Sequence, residues 1–164
     1  VCNGLLYATQ RFAFDHIFNE SSSQSEVYES AAQPAVVSAL QGYNAAIIAY
    51  GQTGTGKTYT MEGVHDDPVH QGIVPRAIKD IFRSISADST PHHQYLVRAS
   101  YLQIYNEVIS DLLKPERSNL VIRCGPWYSS CIMHKKTLNY VLSLIKFTHF
   151  RGPLLILLIV YSRK

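Results

Sequence analysis

Within eight residues, Gly51-Gln52-Thr53-Gly54-Thr55-Gly56-Lys57-Thr58, the chain sets three glycines, a lysine and a terminal hydroxyl in the order G-x-x-x-x-G-K-S/T. That order suits phosphate. Glycines let the backbone curl until successive N–H groups converge on an anion, and a helix starting at the end of the loop adds the partial positive charge of its N-terminus. Lys57 brings a point charge able to reach β- and γ-phosphates, and the Thr58 hydroxyl is a hard oxygen ligand suited to Mg²⁺. Gly51 to Thr58 and the adjoining Tyr59 are therefore the candidate ligand-binding residues, with Thr58 the candidate metal ligand.

Such a loop works only between a strand and a helix. Ala45-Ala46-Ile47-Ile48-Ala49-Tyr50 is short, apolar and uncharged, as a strand buried on both faces should be. Lys57-Thr58-Tyr59-Thr60-Met61-Glu62 is compatible with the helix that must follow. Upstream, Phe12, Phe14 and Phe18 predict a strand over 12–18. Ser23 with Glu26 predicts a capped helix whose apolar positions run from Val27 to Leu40, kinked by Pro34 and closed by a left-handed Gly42.

Downstream, residues 64–71 are rich in His, Asp and Pro and read as a solvated loop; His65, Asp66, Asp67 and His70 need no metal to account for them. Ile73, Val74, Ala77, Ile78, Ile81, Phe82 and Ile85 form an unbroken helical stripe, with Arg76, Lys79, Asp80 and Arg83 on a wet face. A turn at Ser89–His93 leads to a β-rich run over Tyr95–Tyr105, then a short helix from Asn106 to Leu113 and a brief strand over Leu120–Arg123. Strands alternating with helices around a strand-loop-helix phosphate site predict an α/β layered sheet of the P-loop nucleotide hydrolase type, with helices on both faces.

The wider string from Gly42-Tyr43-Asn44 through Ala49-Tyr50 and the phosphate loop to Tyr59-Thr60-Met61-Glu62-Gly63 resembles the kinesin motor domain. Phe12 to Phe18 resembles that family's second strand, Gly72-Ile73-Val74-Pro75-Arg76 the helix after its fifth loop, and Tyr101-Leu102-Gln103-Ile104-Tyr105-Asn106-Glu107 through Asp111-Leu112-Leu113 its YLEIYNExxxDLL segment. The resemblance covers about residues 11–123 and implies ATP or ADP with Mg²⁺ as ligands and microtubules as partner, in the cytoplasm. It also places Tyr59, following the phosphate-loop threonine, where that family meets the adenine, so Tyr59 is either a base-stacking ring or a packed aromatic. Against the family's pattern, the sequence holds no R-x-R-P segment, no N-x-x-S-S-R-S-H segment and no D-x-x-G-x-E segment. The last two supply the γ-phosphate sensor and organise the attacking water in kinesins. The expectation is thus a nucleotide-binding part of a motor domain that does not hydrolyse, Asp80 and Asp111 being poor stand-ins for the absent carboxylates.

Composition divides the chain at the same place. Residues 1–116 carry 7 Lys/Arg and all 12 Asp/Glu, whereas 117–164 carry 8 Lys/Arg and no acid. Residues 1–123 read as a partial motor-type domain and 124–164 as a divergent basic and apolar tail without a recognised fold. A basic tail suits an acidic partner, which keeps open a non-catalytic nucleotide-binding or decoy module; no aromatic signature or zinc spacing argues for nucleic acid. Cys2, Cys124 and Cys131, odd in number and irregularly spaced, suit free thiols in a reducing compartment, and with His134 they match no zinc pattern. The apolar run Leu154–Tyr161 is far short of the roughly 20 residues a membrane helix needs. Val1 in place of an initiator methionine fits a chain that begins mid-protein.

Overall fold

A computed structural model describes residues 10–89, 95–120, 138–148 and 154–163, the last two as backbone strands. The expected turn at Ser89–His93, the strand over Leu120–Arg123 and the Cys124, Cys131 and His134 group lie wholly or mainly outside the described residues.

The first helical run begins where the capping pair places it. Ser23, with extended φ and ψ, accepts from the Glu26 N–H at 3.1 Å, satisfying one of the free donors of α1 (Gln24–Val27). A π-helical turn, Tyr28–Ala32, then joins α1 to α2 (Gln33–Leu40). Proline explains the turn. Pro34 has no N–H to give and its ring crowds the carbonyl four residues back, so the backbone widens and the Gln33 N–H reaches Tyr28 O, five residues earlier. Gly42 closes the run at φ 105°, with its N–H on Ala39 O and the Tyr43 N–H on Ser38 O, both at 3.1 Å.

Strand β1 (Ala45–Gly51) feeds the phosphate loop and α3 (Lys57–Met61), and a loop over 63–72 separates α3 from α4 (Ile73–Ala87). The loop is pinched at its base, where Gly63 bridges Gln71 and the Gly72 N–H donates to Glu62 O at 3.1 Å. Within it the Asp67 carboxylate takes the His70 ring at 2.6 Å and the Val69 N–H at 2.9 Å, and these bonds hold its pKa below the ordinary aspartate value.

The core is the stripe the sequence predicts on α4 packed against the first helical run. Tyr28, Ala32, Val36 and Ala39 meet Ile73, Ala77 and Ile81, with Met61 of α3 between them. Met61 is fully buried, and its truncation to alanine would cost about 2–5 kcal/mol. β1 adds one face: Ala45, Ile47 and Ala49 pack on this core, while Ile48 is 58% exposed and Tyr50 76% exposed. The expectation of a strand buried on both faces is corrected here, because the described helices cover one face of β1 and no described element covers the other.

The sheet runs β1-β5-β4-β2-β3, where β2 is Tyr95–Tyr105, β3 Val108–Asp111, β4 Leu138–Thr148 and β5 Leu154–Arg163. β2 and β4 pair in parallel and the other neighbours antiparallel, with β1 and β5 in register from Ala45 opposite Val160 to Gly51 opposite Leu154. Both β4 and β5 come from the segment that composition sets apart.

Two local expectations are corrected. Asn106 to Leu113 is not a helix: Asn106 and Glu107 take φ of 48° and 65°, the left-handed pair of a tight hairpin turn, and β3 folds back on β2. Nor is 12–18 a strand. It pairs with no described strand, and Phe12, Phe14 and Ile17 are 73%, 70% and 79% exposed. Alternation alone does not make a strand without a neighbour to take its hydrogen bonds.

Candidate functional site

The phosphate loop leaves β1 at Gly51 and enters α3 at Gly56, the N-cap residue. Two of its glycines carry a conformation that side chains resist: Gly54 at φ 88° and Gly56 at φ 84°. Those left-handed steps turn the backbone sharply between β1 and α3. Residues 52–56 are all exposed, so the loop is accessible to a ligand.

Lys57 is the exception in this open loop. It is only 6% exposed, although it is the first residue of α3. Its Nζ donates to Gln52 O at 2.5 Å and to Thr55 Oγ1 at 3.4 Å. The Gln52 carbonyl also accepts from the Thr55 hydroxyl at 2.9 Å and from the Thr55 N–H at 3.4 Å. Loop dipoles therefore hold the ammonium, and among the described residues no carboxylate forms an ion pair with it. A buried cation without a counter-charge is costly, and an anion placed beside it removes that cost.

The remaining expected residues fall around this cation. Gln52, Thr53, Gly54, Thr55 and Gly56 form the rim, and Thr58, exposed in the first turn of α3, offers its hydroxyl next to Lys57. Tyr59 is 47% exposed on the same short helix, with ring surface available to a flat ligand. A lysine side chain, an exposed glycine loop and one hydroxyl oxygen make a set that fits nucleotide phosphates with a hard divalent ion. Asp80 and Asp111 are elsewhere employed. Asp111 lies in β3 and accepts from the Leu113 N–H at 2.9 Å and the Lys114 N–H at 3.3 Å.

Asp80 belongs to a group that sequence reading places on a wet helix face. Its carboxylate accepts from the Tyr28 hydroxyl at 2.8 Å, from Gln33 Nε2 at 3.2 Å and from the Arg83 guanidinium at 3.0 Å. Burial, then the hydrogen bond to Asp80 and its negative charge, raise the pKa of the Tyr28 hydroxyl above the ordinary tyrosine value. Arg76 reaches Gln71 O at 2.9 Å, Val69 O at 3.0 Å and Ser25 Oγ at 3.3 Å. Together with Lys79 these side chains line a polar cleft of about 270 Å³ between the first helical run, the 63–72 loop and α4. The clasp ties α4 to the first helical run behind the phosphate loop. No local pattern announces it, since Tyr28 and Asp80 are 52 residues apart. Gln24, 7% exposed at the start of α1, is a second polar residue that sequence reading passes over, and its burial is the sign that it has a partner.

Known proteins resemble this chain in sequence and fold. The family model for the kinesin motor domain matches residues 6–146, extending past Arg123, where the motifs in the sequence end. The kinesin-like protein KIF3C of Bos taurus is 50% identical over 105 residues, covering 64% of this chain and 13% of the relative. The centromere-associated protein E of Homo sapiens is 47% identical over 114 residues, covering 68% of this chain and 4% of the relative. The chain thus spans a small part of the length of the curated relatives it matches.

Among solved structures, a fast kinesin, described with its ATPase mechanism and interactions with microtubules, superposes with a TM-score of 0.64 at 40% identity over 70% of this chain and 32% of its own. The Drosophila kinesin family member Kin10/NOD, in complex with divalent manganese and ADP, superposes with a TM-score of 0.57 at 25% identity over 93% of this chain and 60% of its own. The fold is that of the P-loop nucleotide hydrolases, with a sheet smaller than in the full domain. On the extent of the family match, the chain belongs to the kinesin motor domain family.

Proposed function

We propose that this chain is the nucleotide-binding part of a microtubule motor, taking ATP or ADP with Mg²⁺ at Gly51 to Tyr59, and that these 164 residues alone do not turn ATP over. The observation that carries the binding half is the buried, uncompensated Lys57 inside an exposed glycine loop. A polyphosphate supplies the missing counter-charge, and Lys57 exchanges the Gln52 carbonyl for phosphate oxygens. Thr58 would hold the divalent ion, which would neutralise phosphate charge. Tyr59 would lie along the base.

The second half follows from what phosphoryl transfer needs. Its rate comes from positioning the nucleophile and stabilising charge as it develops, and a phosphate cradle supplies binding but no water-positioning group. Residues 117–164 contain no Asp or Glu, and the two candidate carboxylates upstream are engaged, Asp80 with the π-helical turn and α2 and Asp111 with its own turn. The Drosophila neighbour, held with manganese and ADP, and the fast kinesin, described with its microtubule interactions, support the ligand class and the partner. A steady-state phosphate-release assay with increasing microtubules tests the proposal. Release at background throughout is the expected result. Release that climbs with microtubule concentration and disappears in Lys57→Ala would show a working motor ATPase instead.

A further inference from the structure

We infer that Gln24 is a positioning residue for the phosphate site, holding α3 so that Lys57 and Thr58 face the ligand. This rests on the nucleotide-binding reading above. α3 has five residues, and the carbonyls at the end of so short a helix must find donors beyond the ordinary ladder. In a continuing helix the Gly63 N–H would serve Tyr59 O. Here it turns back to Thr58 O at 3.3 Å, an oxygen that already accepts from the Glu62 N–H at 2.7 Å. The Tyr59 carbonyl receives Gln24 Nε2 instead, at 2.7 Å and from 35 residues earlier in the chain.

The geometry makes this more than a surface contact. Gln24 is 7% exposed, so its amide has given up water for this bond, and an apolar replacement leaves a carbonyl unserved two residues after Lys57. The same helical run also grips α4, through Ser25 to Arg76 and through Tyr28 and Gln33 to Asp80. One helical run therefore spans both sides of the 63–72 loop; Met61 packs on it, and Gln24 gives it a hydrogen bond to the phosphate-loop helix. Tyr28 gives it a buried hydrogen bond to α4. The two bonds lie in one helical run but end on different helices, so their loss should be felt differently at the site.

Gln24→Leu removes the donor, and Gln24→Glu removes it with almost no change of shape. Tyr28→Phe removes a buried hydrogen bond of the same run without touching α3. Affinity for a fluorescent ATP analogue with Mg²⁺ and melting temperature are measured on all three, with the full chain and with Lys57→Ala alongside. Both Gln24 variants are expected to bind about tenfold more weakly, while Tyr28→Phe melts lower yet binds within about twofold of the wild type. Unchanged affinity in the Gln24 variants, or an equal loss in Tyr28→Phe, overturns the positioning role. If the wild type binds and Lys57→Ala does not, that overturning leaves the nucleotide site standing. Absence of saturable binding by the wild type overturns both.

Discussion

Replacing Asp80 by alanine should destabilise the chain by about 3 kcal/mol, because the carboxylate is the joint at which the first helical run meets α4. The figure comes from its three partners. The Tyr28 hydroxyl, on a residue 4% exposed, gives a charge-assisted bond at 2.8 Å, for which about 2 kcal/mol is a fair net value, including the penalty of the stranded hydroxyl. Gln33 Nε2 at 3.2 Å adds about 1 kcal/mol. Arg83 adds little: its side chain is 77% exposed, and a solvated pair at 3.0 Å is worth at most a few tenths. For a chain of this size about 3 kcal/mol corresponds to a fall of about 10 °C in melting temperature, read by far-ultraviolet circular dichroism. Asp80→Asn keeps an acceptor for Tyr28 and should lose about half as much. A double-mutant cycle with Tyr28→Phe should return a coupling of about 1–2 kcal/mol. A fall under about 2 °C, or additive effects in the cycle, would refute the clasp and return Asp80 to the wet face.

Three further outcomes follow from the same geometry. The folded chain holds the Tyr28 proton more tightly than the unfolded one, whose tyrosine titrates near 10.0, so this contribution is complete below that pH and is lost as pH rises toward the folded value. The difference in melting temperature between wild type and Tyr28→Phe should accordingly be flat below about pH 9 and shrink above about pH 10. Thr58→Ala should cost affinity mainly when Mg²⁺ is present, so titrations with the ion and with a chelator should differ less than in the wild type. Ending the chain after Arg123 removes β5, the strand paired with β1 along Ala45 to Gly51, and should weaken nucleotide binding; unchanged affinity would show that residues 1–123 stand alone, as the composition break argues.

What could be read from sequence was whatever local chemistry determines. The phosphate loop is legible because positive φ at Gly54 and Gly56 demands glycine, and α4 because Ile73, Ala77 and Ile81 recur at helical spacing. Ser23 and Gly42 mark their helix ends for equally local reasons. The hairpin was not legible in the same way. Val108, Ile109, Leu112 and Leu113 fit a helical stripe as well as a strand, and the choice was made by the turn at Asn106 and Glu107 together with pairing to β2. Segment 12–18 fails in the opposite sense, since its alternation is a strand pattern and the described sheet offers it no edge. Long-range polar pairs were invisible altogether. Gln24 with Tyr59 and Tyr28 with Asp80 join residues 35 and 52 positions apart, and nothing in the intervening sequence records the distance.

Lys57 is the residue on which the proposed nucleotide site most depends. Titrating the full chain with a fluorescent ATP analogue in the presence of Mg²⁺, beside Lys57→Ala, tests that directly. The wild type should bind saturably, and the variant about a hundredfold more weakly, the size expected for losing a charge-assisted contact to phosphate. Equal affinity for the two proteins would contradict the assignment of the site.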